Sequence, residues 1–171
     1  MAELVTAASN DNPSCTIETP VRLKSLTVPG GRTVLLSDSP TVSCAFAERF
    51  TDWIGELASP LAAATIAPLK AVRTGPGFVC RNRNHEAQGR LSAHAVGLAI
   101  DIAGFELSDG STLTVVEAKD SARMQVLSTM RTAACGWFTT ILGPGSDEAH
   151  ATHWHLDIMK HGQNGTYRIC E

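Results

Sequence analysis

The stretch SAHAVGLAIDIAGFELSDGSTLTVVE, residues 92–117, decides how the chain folds. Residues 97–107, GLAIDIAGFEL, form an apolar run bounded by turn formers and read as a strand. Asp109-Gly110 is a tight-turn pair. The β-branched STLTVVE after it reads as a second strand returning beside the first. Side chains alternate between faces along a strand, so Ile100 and Ile102 share one face and Asp101 points to the other. A lone carboxylate in so apolar a strand must be hydrogen-bonded, paired or metal-bound. His94 precedes Gly97, where the chain can turn tightly and bring the imidazole back over Asp101.

The same reading extends outward in both directions. RLKSLTV and RTVLLS flank Pro-Gly-Gly as two short strands around a turn. SPTVSCAFAERFTDWIGELAS (39–59) reads as a helix capped by Ser39, with Pro40 at its first position. Phe46, Phe50, Trp53, Ile54 and Leu57 recur at helical spacing as its core face. ATIAPLKAVRT and GFVCR read as strands separated by Gly-Pro-Gly, and RNRNHEAQGRLSAH as a polar loop. EAKDSARMQVLSTMRTAACG (117–136) reads as a second helix stopped at Gly136. WFTTIL is a strand, GPGSDEAHA a loop, THWHLDIM the final long strand, and Asn164-Gly165 a turn. Strands adjacent in sequence and joined by turns predict an α+β domain: a central antiparallel sheet, flanking helices and a site on one face.

The chain has 171 residues, is 43% hydrophobic and 18% charged, and carries a net charge of −3, which describes one globular domain with a real core. We expect a flexible segment over 1–14 and the domain over 15–171. No basic cluster suits nucleic acid, and the apolar runs are too short for a membrane span. The five cysteines form no CxxC pair, so at least one disulfide and an oxidising compartment are expected. Two bridges can be drawn many ways; Cys15–Cys44 and Cys135–Cys170 are the expected pairs. The N-terminus shows no signal-peptide pattern.

HATHWHLD (150–157) holds three of the six histidines. In THWHLDIM, strand parity puts His153, His155 and Asp157 on one face and Trp154, Leu156 and Ile158 on the core face. Two imidazole nitrogens and one carboxylate oxygen from two strands make a three-ligand zinc site with an open fourth position, which is the catalytic arrangement. Either pair alone is weak; together they carry the ligand set of one site type. Asp147 and Glu148 are rival acid–base groups that read as turn residues or supporting partners. His85 and His161 are expected to be exposed loop residues. Trp154 is expected in the core, and Trp137 in the core or in a cleft.

SAHAVGLAID fits S-x-H-x-x-G-x-A-x-D, and His153-Trp154-His155 fits a later H-x-H. The chain thereby resembles the lysostaphin, D-Ala-D-Ala carboxypeptidase and sonic-hedgehog-type zinc metallopeptidases. More closely, FVCRNRN, GRLSAHAVGLAIDIAGFELSDG, AACGWFTTILGPGSD and the closing HWHLDI and YRIC resemble the bacterial extensin-like C-terminal domain. The resemblance implies His94, Asp101 and His155 as ligands of Zn2+, with Ser92 and Arg81 contacting substrate. Carboxypeptidase relatives carry a catalytic Glu where this chain has Thr152. Instead His150, His153 and His155 resemble the H-x-x-H-x-H of penicillin-insensitive murein endopeptidases. That implies His150 and His153 in proton transfer, with Arg81 or a protonated imidazole on the oxyanion. The expected activity is a zinc-dependent, metal-activated-water endopeptidase on the stem peptides of peptidoglycan, in the periplasm or secreted. The alternatives are a D,D-carboxypeptidase, or a non-catalytic zinc-holding module that grips the cell wall or a divisome protein.

Overall fold

The computed structural model describes residues 1–6, 12–65, 67–116 and 121–171, with the side chains of 58–65 and 121 outside the description. Five strands come first: β1 (Ala2–Leu4), β2 (Pro20–Leu23), β3 (Ser25–Val28), β4 (Arg32–Leu36) and β5 (Thr41–Ser43). Helix α1 (Cys44–Thr65) leads to β6 (Leu69–Thr74), β7 (Ala99–Leu107) and β8 (Thr112–Thr114). Helix α2 (Ser121–Ala134), β9 (Thr140–Leu142), β10 (Trp154–Asp157) and β11 (Ile169–Cys170) complete the order.

The α+β expectation holds, but the single antiparallel sheet does not. The chain builds a three-stranded sheet, β1-β2-β5, and an eight-stranded one in the order β11-β9-β10-β7-β6-β4-β3, with β8 paired to β7. Two of the strand pairings among the described residues are parallel, β4 with β6 and β9 with β11. A parallel neighbour needs a crossover rather than a hairpin, and the α1 segment supplies it between β4 and β6. The hairpins read around Pro-Gly-Gly and Asp109-Gly110 are present as β3–β4 and β7–β8. GFVCR is no strand: Gly77 makes one isolated bridge to Thr41, and Cys80 is tied to Cys15.

Helix α1 starts later than Ser39. Thr41–Ser43 is taken as a strand by β2, and the Ser43 hydroxyl then accepts the Phe46 N–H at 3.2 Å as the cap. The helix runs on to Thr65, past the expected end at Ser59. Its aromatic face is as read: Phe46, Phe50, Trp53 and Ile54 are fully buried. Trp53 meets Phe138 edge to face at 5.4 Å, which ties α1 to the turn after α2. The expected start of the second helix, 117–120, lies outside the described residues, as does Ile66 in the expected strand before β6.

Disulfides join Cys15 to Cys80 and Cys135 to Cys170, leaving Cys44 free. The second was expected. The first corrects Cys15–Cys44: Cys44 opens α1, where its thiol lies 3.8 Å from Glu48 Oε1 and not beside Cys15. Among the described residues no helix is long and apolar enough to cross a membrane.

Candidate metal centre

The site follows from one register. His155 on β10 pairs directly with Asp101 on β7, and Trp154 with Ile102. Opposed residues of an antiparallel ladder share a face. Trp154 and Ile102 therefore enter the core, while Asp101 and His155 face the other way together. Trp154 is 2% exposed and packs on Phe105, as parity predicted.

His94 arrives from a single tight turn, Ala93–Val96. The Ser92 hydroxyl accepts the His94 N–H at 3.4 Å to open that turn, and Gly97 closes it at φ +68°. A Cβ on Gly97 would lie 2.8 Å from Ile17, so glycine is required by both torsion and space. Gly77, at φ +80°, presents its carbonyl oxygen 2.6 Å from His94 Nδ1. A Cβ there would lie 2.5 Å from the Thr41 carbonyl.

Three ligand atoms converge. His94 Nε2 is 3.1 Å from Asp101 Oδ1 and 3.1 Å from His155 Nδ1, and His155 Nδ1 is 3.0 Å from Asp101 Oδ1. A four-coordinate ion with bonds of ~2.1 Å sets its ligands about 3.4 Å apart, so the triangle is close to size. The outer nitrogens decide the chemistry. Gly77 O can only accept, so Nδ1 of His94 carries the proton. Asp157 Oδ2 lies 3.3 Å from His155 Nε2 and likewise accepts. With both rings neutral, three lone pairs face one another, and only a cation relieves that. In the absence of metal a proton takes this place. Burial opposes charge on His155, but hydrogen bonds and charges from Asp101 and Asp157 win and raise it to about 9. Asp101 is likewise held far below the carboxylate range: burial raises it, and hydrogen bonds from His155 and His94 outweigh that. The group His94, Asp101 and His155 can hold a metal ion.

His153 stands outside that triangle. Its Nε2 is 3.6 Å from Asp101 Oδ1, and burial keeps its pKa below the ordinary value. His150 is 9% exposed, its ring centroid 5.5 Å from His153 and 5.6 Å from His155. Asp147 Oδ1 lies 2.6 Å from His150 Nδ1 and accepts the His150 backbone N–H at 2.9 Å. Asp147 is thus the supporting partner that the sequence offered as one of its readings. Glu148 and Thr152 are exposed.

An open cleft borders the site at His155. Arg81, Arg83, Asn84 and Ser92 line it together with His150 and His155, and Thr140, Leu142 and His161 line it too. His85 is exposed as expected, but His161 is not: its side chain is 14% exposed, and Nε2 lies 2.6 Å from Thr140 Oγ1. The turn at Asn164-Gly165 folds it inward, through the bridge His161–Tyr167. Its spacing, four residues after Asp157, was the available signal. Arg83 and Asn84 were also missed, because a polar loop carries no periodicity. Trp137 packs against the core and does not line the cleft.

A family model described as extensin-like protein C-terminus matches residues 2–171. No curated protein and no solved structure matches the chain.

Proposed function

The chain belongs to the extensin-like protein C-terminus family, and on that premise we propose that it is a zinc-dependent endopeptidase cutting peptidoglycan stem-peptide cross-links. The observation that carries this reading is the convergence of three lone pairs from His94, Asp101 and His155, the last of which lines an open cleft. Two nitrogens and one oxygen, with no sulfur, suit zinc in a catalytic role, with room for a further ligand. The resemblance to lysostaphin-type peptidases supplies the substrate class.

Held by those three atoms, zinc supplies the Lewis acidity that makes water a usable nucleophile near neutral pH. The chain's own groups handle the protons. His153, kept neutral by its lowered pKa, takes the proton of the attacking water at Nε2. His150, with Nδ1 engaged by the Asp147 carboxylate and its ring centroid 5.5 Å from that of His153, receives that proton at Nε2 and hands it to the leaving amine. Asp147 stays ionised: its slight burial works against this, but the hydrogen bonds from His150 prevail. Arg81 in the cleft offers positive charge to the developing oxyanion. Ser92 lines the cleft while its hydroxyl holds the turn that carries His94. Peptidoglycan as substrate sets the protein in the periplasm or outside the cell, and two disulfides accord with that.

Digestion of purified sacculi by the zinc-loaded protein, with mass analysis of the released muropeptides, tests the reading. Cross-linked dimers should fall and monomers rise, and His155→Ala should do neither. Loss of a terminal D-Ala alone would make it a carboxypeptidase. Binding to sacculi without any product would make it a non-catalytic wall-binding module.

A further inference from the structure

Asp157 is a buried carboxylate that the mechanism above does not use. It is 5% exposed, on a strand whose other residues are all buried. An unpaired carboxylate there would cost several kcal/mol of desolvation. Every polar neighbour instead points at it. The Met159 N–H donates to Oδ1 at 2.9 Å and the Thr139 hydroxyl at 3.2 Å. The Thr140 hydroxyl, directly across the β9–β10 ladder, hydrogen-bonds the same carboxylate and lies 2.6 Å from His161 Nε2. Oδ2 lies 3.3 Å from the outer nitrogen of His155.

We infer that Asp157 is a positioning residue, which holds His155 as its Nε2–H tautomer with the Nδ1 lone pair turned to the metal centre. The inference rests on the metal-centre reading proposed above. Orientation and charge both require it. An imidazole with no acceptor at Nε2 can shift its proton to Nδ1, which would put N–H where a lone pair is needed. His94 is secured against this by the Gly77 carbonyl, so each ring has one dedicated outer acceptor. A divalent ion with Asp101 as its one anionic ligand leaves a buried excess of positive charge, and Asp157, through His155, neutralises it. Asp157 is therefore tuned to a divalent cation, and His161 and Thr140 extend its support to the cleft wall.

Zinc affinity by chelator competition, measured on the full chain, tests this with Asp157→Asn and Thr140→Val. Asp157→Asn keeps the size of the side chain and an acceptor but loses the charge. We expect its zinc affinity to fall about 10–100-fold, with the His155 Nε2–H proton resonance of the zinc-loaded protein broadened or shifted. A purely structural role would lower the melting temperature and move neither readout. Thr140→Val should weaken zinc by a smaller factor, and it decides the matter if Asp157→Asn does not fold. Wild-type affinity and an unmoved resonance in Asp157→Asn overturn this inference and leave the metal centre standing. An unchanged affinity in Thr140→Val, where Asp157→Asn fails to fold, does the same. No zinc binding by the wild type overturns the metal-centre reading itself.

Discussion

Asp101 and His155 sit directly opposite each other on β7 and β10, with Oδ1 3.0 Å from Nδ1. A one-residue slip of that ladder would put Asp101 beside Trp154 or Leu156 and send His155 into the core. The centre is thus written into strand register, and His94 is added to it by a local turn. Substituting any of the three removes one of three ligands. His94→Ala, Asp101→Ala and His155→Ala should each lower zinc affinity by roughly 100-fold or more, read by elemental analysis after dialysis. Full occupancy in any of them would remove that residue from the ligand set.

His153 and His150 should behave differently in kind. His153→Ala and His150→Ala are expected to keep zinc at wild-type stoichiometry while turnover falls by ~10²–10⁴-fold. The larger loss should be at His153, which stands 3.6 Å from Asp101 Oδ1. Asp147→Asn should cost less than His150→Ala, since it leaves the ring present and only loosens its hold. Parallel zinc and sacculus-cleavage assays check this. If His153→Ala loses zinc as His155→Ala does, His153 is a fourth ligand and not a proton carrier.

Without metal, the pH dependence of stability should carry the signature of His155. Its pKa is raised to about 9 in the fold, against ~6.5 unfolded. A raised imidazole contributes stability that is fully present below ~6.5 and lost as pH climbs through the folded value. The melting temperature in chelator should therefore decline as pH rises from ~6.5 to ~9. Zinc replaces that proton, so its affinity should rise over the same window and flatten the decline. Melting curves in chelator and in zinc that run parallel across this range would contradict the exchange of proton for metal.

Thiol titration of the unfolded, unreduced protein should find one reactive thiol, Cys44, per chain. The Cys15–Cys80 bridge spans 65 residues and anchors the segment after Gly77. Its loss in a Cys15→Ser, Cys80→Ser pair should cost roughly 2–4 kcal/mol by denaturant unfolding. Three or more free thiols in the wild type would refute the bridges.

The sequence made most of this site legible because its signals are local. Alternation in THWHLDIM put His153, His155 and Asp157 opposite Trp154, and the isolated Asp101 among isoleucines demanded a partner. Gly97 marked the turn that returns His94. What stayed hidden depends on contacts distant in the chain. The pairing of β5 with β2 took Thr41–Ser43 out of the helix pattern. Nothing in a list of cysteines says that residue 80 passes residue 15. His161 looked like a loop residue because its burial comes from a turn folding it onto Thr140, a residue of a different strand. The parallel β4–β6 contact was likewise invisible, since a crossover leaves no mark on the periodicity of either strand.

Zinc-edge X-ray absorption on the zinc-dialysed protein tests the metal centre most directly. One zinc per chain is expected, with only nitrogen and oxygen neighbours at ~2.0–2.1 Å and the outer-shell scattering of two imidazoles. The His155→Ala protein, if it retains any zinc, should show one imidazole fewer. Sulfur in the first shell, a single imidazole in the wild type, or no retained zinc would contradict it.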